Sequence, residues 1–463
     1  MSLGNPSTVY VVHCVDTEGP LYESTAATFE RLEQIADIHV KPSRENLARI
    51  ANGTLDLGGK EKIARALVDP QLLHYNETWD KVDAMLERIL SPAYRRRFSD
   101  STGEGWRFNW FIVDHVGYLD NPRRRDMGYH NIFDHYAEIL SSSSENSRDE
   151  VHFHFHPMST YHEAHTCGTS LFRSTHMWDI LSRRVIDRHW FPSCYRAGFH
   201  TERPDTHWFL EQWIPFDFSN QAIKASELDA QQADMVNGRF GDWRRAPADW
   251  SPYHPSHDDY QVPGNCNRAI FRCLNIGTRL RLMSQGDIDL AFCRANDGEP
   301  TILAFTDHDF RNISNDVESV HGMILASAAR YPRVKWIHSG AKEAAQQVLD
   351  IRRDTSFQLN ISLAPQPGGG VLMRVKSSEE IFGPQPYLAV KTFDKQYFTD
   401  NFDVQIPRRE WTYVFDQQTI VPVSIDKVGV AANSRSGSTA ISVVDDFRAI
   451  GHSFDGHAAD KLK

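Results

Sequence analysis

Short apolar runs alternate with stretches of helical periodicity through most of this chain. Residues 8–16 (Thr-Val-Tyr-Val-Val-His-Cys-Val-Asp) are rich in β-branched residues and read as a buried strand that Gly19-Pro20 stops. Further strands are predicted over 107–113, 150–155, 193–196, 216–219, 301–306 and 334–338. Helices are predicted between them. Over 78–90, Val82, Met85, Leu86, Ile89 and Leu90 share one face. The segments 132–140, 176–186, 205–213, 316–330 and 341–349 read the same way. Strands alternating with helices predict an α/β fold, a parallel sheet with crossover helices, either open or closed into a barrel.

The pattern changes near Arg353. From there to about Asp446 short β-rich runs dominate, at 357–363, 371–375, 387–392 and 411–415, with turns at Gly368-Gly-Gly370 and Gly383-Pro384. An appended C-terminal antiparallel β-sandwich over 353–450 is expected behind a catalytic unit over 8–352. Residues 452–463 read as a loose tail.

A chain of 463 residues exceeds one ordinary core, in line with two units. The formal charge of -11 argues against a nucleic-acid partner, since phosphate neutralisation needs a basic surface. Arg95-Arg-Arg97 and Arg123-Arg-Arg125 are short basic clusters, each read as a solvated face or as a contact for an anionic sugar or phosphate. No run is long and apolar enough for a membrane span. The six cysteines form no CxxC pair, and the opening residues lack the features of a signal peptide. Both point to reduced thiols and a cytoplasmic location.

The candidate chemistry gathers at the ends of predicted strands, where α/β folds place their sites. His152, His154 and His156 fall within Val151-His-Phe-His-Phe-His-Pro157. Neutral imidazole is the commonest metal ligand, and this spacing favours a metal over hydrogen-bonded core histidines. Asp16-Thr-Glu18 closes the first strand, Arg196-Ala-Gly-Phe199 follows the fourth, and His308-Asp309 closes the sixth. Asp114-His115 is a further candidate, for gripping substrate. Residues 242–275 hold Trp243, Trp250, Tyr253 and Tyr260 with His254 and His257, suited either to stacking on sugar rings or to packing a long loop onto the barrel.

Taken in order, these motifs resemble the polysaccharide deacetylase superfamily (NodB homology, family 4 carbohydrate esterases) over roughly residues 8–350. The resemblance implies a distorted (β/α)7-type barrel holding one divalent metal, usually zinc, whose activated water attacks an N-acetyl carbonyl. It implies Asp16 as general base and Glu18 as a metal ligand; aligning on Gly19-Pro20 instead puts Thr17 at the base position. It implies His152 and His156 as the other ligands, from the family's His-x-x-x-His-Pro pattern, with His154 a spare or supporting group. It implies Arg196 as the residue that orients the base, with a main-chain amide near Phe199 for the oxyanion. It implies His308 as general acid to the leaving amine, held charged by Asp242, or by Asp217 as the other candidate. Glu18 stands where the family has Asp, and Gly198-Phe199 where it has Pro-Tyr.

The expected function is removal of an N-acetyl group from a sugar or glycan. Two other readings stay open. One is a different metal-dependent amidohydrolase on an α/β barrel, with His152 and His154 as the ligand pair. The other is an inactive carbohydrate-binding or assembly protein. The C-terminal unit is expected to bind sugar or to mediate homo-oligomerisation.

Overall fold

The computed structural model describes residues 7–166, 168, 170–223, 241–278, 282–352, 356–445 and 447. The expected tail at 452–463 and Cys167 lie outside them. The seven parallel strands of the first unit are β1 (Thr8–Thr17), β2 (Phe108–Ile112), β3 (Glu150–Phe155), β4 (Cys194–Ala197), β5 (Phe216–Asn220), β6 (Ala269–Asn275) and β7 (Thr301–His308). They pair in chain order, and β1 pairs with both β7 and β2, so the sheet closes on itself as a barrel. An eighth strand, β8 (Lys335–His338), pairs with Thr8–Val11, while β2 pairs with His13–Thr17. One edge of β1 is thus shared between two partners, the departure from an even barrel.

Alternation along each strand sorts the side chains. Val12 and Cys14 of β1, Phe111 of β2, Cys194 of β4, Phe216 and Phe218 of β5, Phe271 and Cys273 of β6 and Ile302 and Ala304 of β7 form one inward cluster. Ala341, Ala344 and Ala345 of the helix Ala341–Val348 join it. The alternate residues Val9, Val11, Trp110, Leu303 and Phe305 pack outward with the helices Trp79–Ile89 and Ile313–Arg330. The barrel interior is therefore a packed core below, and its polar groups collect at the carboxyl end.

β6 was not predicted as a strand; Ala269–Asn275 fell inside the segment 242–275, read there as a loop insertion. The helices Thr25–Ala36, Arg44–Ala51 and Gln285–Asn296 were also unread. The first two are capped by Ser24 and Ser43, and the third by a capping box on Ser284.

Two four-stranded antiparallel sheets follow. One is β13-β14-β10-β9 and the other β12-β11-β15-β16, where β9 is Leu359–Pro365, β10 Val371–Ser377, β11 Tyr387–Thr392, β12 Tyr397–Phe398, β13 Asp403–Ile406, β14 Glu410–Phe415, β15 Ile425–Asn433 and β16 Thr439–Val444. Met373, Val375, Trp411 and Phe415 of the first share one buried cluster with Leu388, Val390, Val428 and Val430 of the second. The opposite side of the second sheet seats on the barrel. Tyr387, Ala389 and Ala431 pack with Met177, Leu181 and Val185 of the helix His176–Arg188. Tyr387 donates to the Trp178 carbonyl at 2.8 Å, and Lys391 pairs with Asp187 at 2.8 Å. The C-terminal sheets thus brace the helix that leads from β3 to β4.

Candidate metal centre

Glu18, His154 and His156 converge at the carboxyl end of the barrel, all buried, and this group can hold a metal ion. His154 Nε2 lies 3.0 Å from His156 Nε2. Glu18 Oε1 lies 3.3 Å from the His156 nitrogen and 3.9 Å from the His154 nitrogen. The circle through three atoms so spaced has a radius of about 2.0 Å, a zinc–ligand distance. The donor set fits as well. His154 Nδ1 donates to the Arg196 carbonyl at 2.9 Å, which fixes the proton on that nitrogen and leaves Nε2 a bare lone pair. Burial holds His154 well below the usual imidazole range, so it stays neutral and ready to ligate. Burial opposes the charge on Glu18, but Arg125 and His156 outweigh it and keep the carboxyl well below its ordinary range.

Each ligand is set in place by its neighbours. The main-chain amides of Glu18 and Gly19 donate to the two oxygens of Asp309 at 2.9 Å each, and Tyr136 donates to one of them at 2.8 Å. Asp309 therefore clamps the loop that carries Glu18. Burial lifts its carboxyl to about 7, against the pull of those donors. Arg125 forms an ion pair with the other oxygen of Glu18. His115 bonds to the Glu18 carbonyl at 3.3 Å. On the far side Gly198 packs against His156 so closely that an added Cβ would lie 2.1 Å from its ring.

His152 is not part of this group, a correction to the expected His152–His156 pair. A parallel strand rises about 3.3 Å per residue, so positions four apart on one strand stand roughly 13 Å apart and cannot share an ion. The strand runs on through Phe155, and His152 sits at a lower level of the same inward face. There its Nε2 pairs with Glu150 Oε2 at 3.0 Å, beside the ring of Phe111. The residue expected to be spare, His154, takes the ligand position. Alternation alone carried the signal: 152, 154 and 156 share a face, and only the last two reach its open end.

Asp16 and Arg196 meet. Arg196 Nε donates to Asp16 Oδ1 at 2.6 Å, its Nη1 donates to the Phe218 carbonyl at 2.8 Å, and its Nη2 donates to His200 Nδ1 at 3.0 Å. Asp16 stands 3.6 Å from His154 Nδ1 and 3.8 Å from His308 Nε2. Thr17 bonds its hydroxyl to the Val15 carbonyl at 2.9 Å, so the alternative alignment through Thr17 has no carboxylate to offer.

His308 lies beside both acids, 3.9 Å from Glu18 Oε1. Its expected partner does not reach it. Asp242 sits between β5 and β6, bonded to Arg244 at 2.8 and 2.9 Å. Asp217 faces away from the barrel interior, where Arg268 bridges it to Glu202. Burial pulls His308 down to about 3, so the imidazole is neutral rather than the charged acid that was expected. Asp114 is likewise structural. Arg184 donates to it at 3.0 Å and the His130 amide at 3.1 Å.

The pocket above the centre is walled by Phe199, Tyr75 and Phe310 and edged by Arg31, Arg123, Arg125 and Arg311. Trp243, Trp250, Tyr253 and Tyr260 are buried. Trp243, Tyr253 and Tyr260 form their own cluster with Ile270, so they pack the loop rather than face a ligand. His254 and His257 are exposed. Compared with known proteins, the chain matches no family model, no curated protein and no solved structure.

Proposed function

We propose that this protein is a metal-dependent hydrolase that removes an N-acetyl group from a sugar or glycan. The observation that carries the reading is the meeting of a carboxylate–imidazole–imidazole ligand set with a second carboxylate, Asp16, held by Arg196. Glu18, His154 and His156 would hold one divalent metal, with zinc the first choice because two imidazoles and a carboxylate make a catalytic zinc set with an open position. Bound there, a metal lowers the pKa of a water and polarises a carbonyl.

The chain's own groups divide the remaining work. Asp16 takes the proton of the attacking water, and Arg196 aims it through a charge-assisted bond. His308, neutral at rest, accepts a proton from the side of Asp16 and delivers it to the departing amine. Phe199, half-buried in the pocket wall, offers an apolar face to a sugar ring. The test is acetate release from a panel of N-acetyl sugars, alongside metal content by elemental mass spectrometry. About one ion per chain with acetate release supports the reading. Metal-free protein after reconstitution, or full metal with no acetate from any substrate, defeats it.

A second reading has a specific observation behind it. The ligands His154 and His156 are two residues apart, not the four of the deacetylase pattern, and a His-x-His pair suits another amidohydrolase on an α/β barrel. Hydrolysis of an amide other than an N-acetyl group would favour it.

A further inference from the structure

Of the basic run Arg123-Arg-Arg125 only Arg124 is exposed. Arg124 stacks over Tyr22 at 4.0 Å, while Arg123 and Arg125 are buried at the pocket. The Tyr22 amide donates to the Arg123 carbonyl at 2.9 Å, which ties this run to the segment that follows Glu18. Four arginines line the pocket against three carboxylates, Asp16, Glu18 and Glu23. Two of those carboxylates are committed elsewhere, Asp16 to Arg196 and Glu18 to Arg125 and the metal position.

Glu23 is the ion-pair partner of both Arg31 and Arg123, with Glu30 acting on Arg123 from further off. It is buried, as is Arg123, whose Nη1 has no hydrogen-bond partner among the described residues. Arg311 stands nearby in no ion pair among the described residues. It donates to the Leu72 carbonyl at 3.4 Å and lies over the rings of Tyr75 and Phe310. Two buried guanidiniums on one carboxylate leave a positive charge with no close ion-pair partner of its own among the described residues. A ligand oxyanion is the group that completes it, and a planar guanidinium fork suits a carboxylate or a phosphate.

We propose that the pocket contains an anion subsite beside the metal centre, built on Arg123 with Arg31 and Arg311, and that it takes a carboxylate or phosphate carried by the substrate. This rests on the hydrolase reading and narrows it: the sugar is an acidic one, a sugar acid or a phosphate-linked precursor, rather than a neutral N-acetylhexosamine.

The experiment is calorimetric binding to the full chain of N-acetylglucosamine, N-acetylglucosamine 1-phosphate and N-acetylmuramic acid, with and without zinc. At least one acidic sugar is expected to bind about tenfold or more tightly than the neutral one. The preferred acid says whether phosphate or carboxylate is the natural group. The preference is expected to survive removal of zinc and to vanish in Arg123→Gln; Arg311→Gln, a milder change, should reduce it. Equal binding of all three sugars overturns the subsite. So does a preference that survives Arg123→Gln, or one that disappears with zinc, since the anion then sits on the ion itself. Acetate release from the same samples separates the two claims. Acetate without anion preference removes the subsite and leaves the deacetylase; anion preference without acetate upholds the subsite and removes the deacetylase.

Discussion

Arg196 reaches across the barrel from β4 and donates Nε to Asp16 Oδ1 of β1 at 2.6 Å, with both groups buried. A guanidinium so placed holds the carboxylate in one direction. The candidate ligand group of Glu18, His154 and His156 does not include that carboxylate. Asp16→Asn is therefore expected to retain metal while turnover falls by about 10²–10⁴-fold, the usual worth of a general base. Acetate release and elemental analysis on one preparation check it. An active Asp16→Asn enzyme would remove Asp16 from the mechanism.

His152 and His154 of β3 and His156 just past its end separate by level. His154→Ala and His156→Ala should each abolish stoichiometric metal, whereas His152→Ala should keep it. The His152 change acts on stability instead, because it takes from half-buried Glu150 one of the partners that hold its carboxyl down at about 2. Metal lost in His152→Ala but kept in His154→Ala would reinstate the His152–His156 pair.

Gly198 tests how tightly His156 is held. In Gly198→Ala the new Cβ would meet the His156 ring at 2.1 Å and the Phe155 carbonyl at 2.8 Å, so ring or backbone must move. Displacing an imidazole from its supported position weakens metal by about 10–100-fold, by analogy with loss of a group that orients a ligand. Competition with a chelator of known affinity measures this. Unchanged affinity would mean that His156 is free to shift.

Asp316 gives a pH dependence away from the site. Burial and the nearby Asp307 raise its carboxyl to about 8, with His13 and Arg311 pulling the other way. A folded pKa above the unfolded one means that the native state binds the extra proton between about pH 4 and pH 8. Stability from this group is thus present below about pH 4 and lost as pH rises to about 8. Asp316→Asn removes the penalty. It should be more stable than wild type at pH 9, by about 1–3 kcal/mol, and match it below about pH 4. Equal melting at both values would show that the carboxyl titrates normally.

Much of the fold was legible because two physical signals were local. Strand β1 announced itself by its β-branched run, and the helix Ile313–Arg330 by its apolar face. Strand β6 was missed because Ala269–Asn275 carries Arg272 and Asn275 among its apolar residues, which masks a buried strand. Arg272 is nonetheless buried, its charge met by Asp287 at 2.8 Å and its guanidinium 4.5 Å above Trp250. No local rule foresees a cation neutralised by a residue from another element.

The sequence by itself determined that polar chemistry sits at the ends of apolar strands, and it named Asp16, Glu18, His156, Arg196 and His308 among the residues found together. Only the tertiary structure decided which histidine joins them. Spacing along a chain does not say where a strand stops, and β3 runs on past His152 to place His154 and His156 at the open end of the barrel. The same holds for Asp309, Arg125 and Arg123. A charge that clamps a loop, steadies a ligand or waits for an anion is defined by neighbours from distant parts of the chain, and closure of the barrel brings those neighbours together.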